Sequence, residues 1–81
     1  HMKYQAGVKE GPYHPETWFD FDSLRLARVF ARLYLLGRPK YPDATARIYE
    51  DGVSSALFFW RDGKVSVRKS SQKIKDPPND A

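Results

Sequence analysis

With 81 residues, 41% of them hydrophobic and 30% charged, the chain has room for one soluble domain around one modest core. No apolar run approaches the ~18 residues of a membrane span, so no membrane partner is expected, and the absence of cysteine removes disulfides, thiolate nucleophiles and Cys-type zinc sites together. The formal charge of +4 is basic without the dense clustering of dedicated nucleic-acid binders, and the cysteine-free composition suits a reducing, cytoplasmic setting.

His1 is expected to be an expression remnant ahead of Met2, the expected start, which leaves residues 3–69 as the domain. Tyr4, Ala6 and Val8 alternate with Lys3, Gln5 and Lys9, the period-two pattern of a half-buried strand. Gly11-Pro12 ends it, and the segment to Thr17 reads as a loop because Pro12 and Pro15 interrupt regular structure. Thr17-Trp-Phe-Asp20 has the composition of a short second strand pairing back on the first.

The helix of the chain runs from Asp22 or Ser23 to Leu36. Asp22 is favoured as its cap, since Phe21 and Leu26 then take the positions of a hydrophobic staple. Steps of 100° place Leu26, Ala27, Phe30, Leu33 and Tyr34 on the expected core face, with Arg25, Arg28 and Arg32 opposite. Leu24, Ala31 and Leu35 fill one flank, Val29 and Leu36 the other, so both flanks need cover. Trp18 is the ring expected over the first flank; failing that, this flank becomes a partner surface. Gly37 followed by Pro39 predicts a left-handed stop.

Three strand-like runs follow, 44–50, 54–60 and 64–69, separated by Asp51-Gly52 and Asp62-Gly63, which are hairpin-turn dipeptides. At the second turn, pairing of Arg61 with Lys64 sets Phe58, Trp60, Val65 and Val67 on one face, assigned to the core. A simple two-residue turn at Asp51-Gly52 would pair Ile48 with Ser55 and put Ile48 on the opposite face from Phe58. A bulge or longer loop between Glu50 and Ser55 is therefore predicted. Residues 70–81, with one large apolar side chain and Pro77-Pro78, are expected to be a disordered tail.

Catalytic chemistry is poorly supplied. His14 is the one histidine within the domain, and its spacing from Glu16, Asp20 and Asp22 matches no metal-ligand pattern. No serine lies in a nucleophile elbow and no glycine-rich loop could cradle phosphate, so no enzyme, cofactor or metal is expected. Binding is better supported. Arg25, Arg28 and Arg32 form a stripe with no acid at i+3 or i+4, where solvated helix faces normally mix signs. On the expected outer sheet face, Leu57 and Phe59 share space with Arg47, Tyr49, Arg61 and Arg68. Such residues suit a protein interface, including one with a second copy of the chain, or a nucleic acid; the absence of any RNA-binding motif favours protein.

The layout of an N-terminal strand, Phe21-Asp-Ser-Leu-Arg-Leu-Ala27 opening a helix, then Ala46-Arg-Ile-Tyr-Glu-Asp-Gly52 and Trp60-Arg-Asp-Gly-Lys64 on strands, resembles small phage-encoded accessory proteins. Some of these inhibit bacterial defence, anti-CRISPR proteins among them. The resemblance implies a compact binder that occupies a surface on a larger host complex, and it transfers no site residues. The expected fold is α+β: one helix on a three- to four-stranded, mainly antiparallel sheet in β-α-β-β-β order.

Overall fold

In a computed structural model, residues 2–69 are described and form an α+β domain of one helix on one sheet. The strands are β1 (Tyr4–Lys9), β2 (Thr17–Phe21), β3 (Thr45–Glu50), β4 (Val53–Arg61) and β5 (Lys64–Lys69), with α1 (Leu24–Leu36) between β2 and β3. They form a single antiparallel sheet in the order β2-β1-β3-β4-β5. The sheet has one strand more than the expected three or four. Thr17–Phe21 is a full edge strand, Tyr4 pairing with Phe21 and Val8 with Thr17. The expected tail lies outside the described residues.

The hairpins follow the turn chemistry. Asp51 and Gly52 have φ of 53° and 81°, Asp62 and Gly63 of 52° and 76°, the doubly left-handed pair that a tight turn between twisted strands needs. The predicted bulge is present. Glu50 pairs with Val53 and Tyr49 with Ser54, but Ile48 then pairs with Ala56, so Ser55 is the extra residue. This shift puts Ala46 and Ile48 on the same face as Phe58, and all three are buried.

The helix differs from the expectation in three ways. Ser23, not Asp22, caps it: the extended Ser23 (φ −142°, ψ 154°) accepts from the Leu26 amide through Oγ at 3.1 Å. Gly37 is not left-handed but has φ −78° and ψ −1°; its amide donates to the Leu33 carbonyl at 3.0 Å and the Arg38 amide to the Leu35 carbonyl at 2.9 Å. The core face is also turned about the axis. Ala27, Ala31 and Leu35 are fully buried with Leu24 packed beside them, whereas Leu26 and Leu33 are 53% and 61% exposed.

Size explains the rotation. Among the described residues, six of the ten buried hydrophobic side chains are alanines, Ala27 and Ala31 on the helix and Ala6, Ala46 and Ala56 on the strands beneath among them. Small residues on both surfaces let helix and sheet approach closely, while Leu26 and Leu33 turned inward would hold them apart. The flank at Leu24, Ala31 and Leu35, expected to need outside cover, is thus the core itself, and the sheet covers it.

A helix about 10–12 Å across cannot cover five strands spaced about 4.8 Å apart. It lies mainly over β1 and β3. Toward β2, Phe30 closes the gap with ring centroids 4.9 Å from Phe19 and 5.2 Å from Phe21. At the helix end, Arg38 stacks 3.8 Å over Tyr34, pairs with Glu10 at 3.2 Å and donates to the Tyr34 carbonyl at 3.1 Å. Toward β5 the cover is thinner, and Val67, assigned to the core, is 38% exposed.

Candidate functional site

Two surfaces remain, one on each side of the sheet. The first is the side of α1 turned from the sheet and the hollow beside it. Leu26, Val29, Leu33 and Leu36 lie within about 80° of one another opposite Ala31, given 100° per residue, and they are 53, 47, 61 and 51% exposed. Their 3-4-3 spacing is the seam with which one helix packs on another.

The expected arginine stripe borders this seam rather than standing opposite the core. Arg25 and Arg32 are exposed and Arg28 half-buried, all on the flank toward β4. The guanidinium carbons of Arg28 and Arg32 stand 5.5 and 5.6 Å from the centre of the Phe58 ring, and their stems help to keep that ring only 1% exposed. With Leu24, Val29 and Leu33, these residues enclose a hollow of about 480 Å³. Among the described residues, none of the three arginines has a carboxylate partner.

The second surface is the outer face of the sheet. The registers bring Arg47, Tyr49, Leu57, Phe59, Arg61 and Arg68 together there, as expected. Arg68 lies 5.7 Å from the centre of the Phe59 ring, and Arg47 Nη1 donates to Ser54 Oγ at 3.0 Å. Trp18 joins them instead of covering the helix: its ring is 4.5 Å from that of Tyr49, tilted by 35°. The strand between Trp18 and Tyr49 supplies Gly7, whose missing side chain leaves the space in which Glu16 lies; a Cβ on Gly7 would run into the Glu16 carboxylate. Burial raises the Tyr49 phenol above its usual pKa, the adjacent Glu16 carboxylate adds to the rise, and Arg47 partly offsets it.

The arginine stripe and the outer sheet residues are therefore on opposite sides of the molecule and cannot form one site. The outward seam was missed by the periodicity, because the polar direction of the helix is set by its three arginines, and these lie beside the core against Phe58 and not opposite it. The signal that could have found it is the pair Ala27 and Ala31, one turn apart and matched to alanines on the strands. Among the described residues there is no cluster of three or more His, Asp or Glu side chains placed to hold a metal ion, and no helix is long and apolar enough to cross a membrane. Comparisons of the chain with protein-family profiles, with curated proteins and with solved structures gave no match.

Proposed function

We propose that this chain is a non-catalytic, cytoplasmic protein-binding module that docks on an acidic, apolar partner surface through the outward side of α1. The observation that carries this reading is the contiguous seam of Leu26, Val29, Leu33 and Leu36, about half exposed and bordered by arginines that have no acidic partner among the described residues. Single exposed leucines are ordinary, but four in one packing register are not scattered. Covering four half-exposed aliphatic side chains is worth roughly 3–6 kcal/mol before association costs, and guanidinium–carboxylate contacts at the border would set orientation.

Charge selects the partner. The segment 24–36 contains three arginines and no acid, so a second copy docked on this face would bring like charges together. A helix or ridge with apolar residues flanked by Asp and Glu meets both features. The action would be occlusion of the partner's surface, in keeping with the resemblance to small phage-encoded inhibitors.

The test is affinity capture from the native host with Leu33→Glu, Arg25→Glu and Phe59→Ala variants, followed by sedimentation of the free protein. A partner bound by wild type and Phe59→Ala, lost with either helix variant and weakened by salt, is the expected result. Capture of the same partner by Leu33→Glu would refute the assignment of the face. A wild-type dimer that Leu33→Glu dissociates would refute the choice of partner.

A further inference from the structure

We propose that the outer face of the sheet, on the side away from the helix, binds single-stranded nucleic acid by stacking bases on Trp18, Tyr49 and Phe59. Three observations support this independently of the helix seam. First, the outward-facing charged residues of β3, β4 and β5 are Arg47, Arg61, Lys64 and Arg68, all basic, and none has a carboxylate partner among the described residues. The acids beside this face are Asp20 on β2, engaged by Gln5 at 2.9 Å, Glu16, whose carboxylate lies over Gly7 next to Tyr49, and Asp43, which lines the same hollow as Arg47 and Leu57; none lies on β4 or β5.

Second, the three rings share this face, Trp18 exposed and Tyr49 and Phe59 half-buried. Trp18 is 46% exposed, and its ring meets that of Tyr49 across β1, with the Glu16 carboxylate lying over Gly7 beside them. Third, the ring sites are spaced along a basic track. Phe59 pairs with Thr45, four residues from Tyr49, so the two sites are about 13 Å apart at 3.3 Å per residue. Arg47 stands between them, with one guanidinium nitrogen held by Ser54 and the others available to a phosphate. Rings interleaved with guanidinium groups on a sheet are the composition that accepts unstacked bases and their backbone. A duplex, whose bases are already stacked, gains nothing from them.

A fluorescein-labelled oligothymidylate of about 12 nucleotides is the probe, read by anisotropy from low to high salt. Binding at low salt is expected, with a log–log salt slope near −2 to −3 if three or four phosphates are neutralised. Phe59→Ala and Trp18→Ala should each weaken it about tenfold or more, and Leu33→Glu should leave it unchanged. Because Trp60 packs against the core, quenching of tryptophan emission by the oligonucleotide should be lost in Trp18→Phe. Arg68→Ala, on the exposed side of an edge strand, supplies a second loss of affinity should Phe59→Ala fold poorly. Absence of binding at low salt, equal binding by both ring variants, or preference for a duplex of the same length would each overturn the proposal. So would a captured protein partner that Phe59→Ala alone releases.

Discussion

Replacing Phe58 by alanine should cost about 3–4 kcal/mol, whereas the same change at the adjacent Phe59 should cost about 1 kcal/mol. Phe58 is 1% exposed beneath Arg28 and Arg32, and truncating a buried phenylalanine usually costs about 3–5 kcal/mol. The lower part of that range applies because the space opens onto the hollow beside α1, which water and the arginine stems can enter. Phe59 lies half-buried on the outer face beside Arg68, so less of its ring leaves water on folding. A domain of this size has roughly 3–10 kcal/mol in total, so Phe58→Ala should lower the midpoint of thermal unfolding by about 15–25 °C. Urea unfolding followed by far-UV circular dichroism measures both variants. Phe58→Leu, at about 1–1.5 kcal/mol, keeps the comparison measurable if the alanine variant does not fold. Equal costs at the two positions, or a larger cost at Phe59, would refute the register, because removing the extra residue Ser55 from the ladder exchanges which ring faces the helix.

Ser23→Ala should lose about 1 kcal/mol by freeing the Leu26 amide, while Asp22→Ala should stay within about 0.5 kcal/mol, both read from urea midpoints. Ala31→Leu should destabilise by about 1–3 kcal/mol or more, since Ala31 is fully buried on the sheet-facing side of the helix, yet Leu33→Glu, on the exposed seam, should change stability by less than about 0.5 kcal/mol. Burial raises the phenol pKa values of Tyr34 and Tyr49 above the unfolded value of 10.0, so the folded state favours the neutral ring. That contribution is whole below the unfolded pKa and is lost as pH rises through the folded values. Urea midpoints should therefore fall above about pH 10, and Tyr34→Phe with Tyr49→Phe should flatten the fall.

The strands and their turns were legible because each carries its own local rule. Period-two alternation placed β1, the two Asp-Gly pairs placed the hairpins, and the conflict between Ile48 and Phe58 over one face required the bulge. The outer-face group from Arg47 to Arg68 followed directly from that register. The helix was less legible. Its extent could be read, but its angle was misread, because the one polar side, Arg25, Arg28 and Arg32, was taken to stand opposite the core and instead borders it over Phe58. What fixes the angle is the depth of the alanine contacts, and that depends on strands far away in the chain. Trp18 was misplaced for a related reason: its position on the outer face depends on Gly7 of the neighbouring strand, a pairing between distant residues.

The roof over Phe58 is made of two arginine side chains, not of backbone. The depth of the hollow is therefore a property of rotamers, which interconvert far faster than a fold rearranges. A carboxylate that drew Arg28 or Arg32 outward would uncover the ring at the same moment, so in the proposed docking the charged and apolar contacts would form together. A partner carrying acids alone would leave Phe58 wet, and one carrying only apolar residues would find the ring roofed. Docking to a rigid copy of this surface would meet a shallow, cationic ledge where a matched partner meets an aromatic socket.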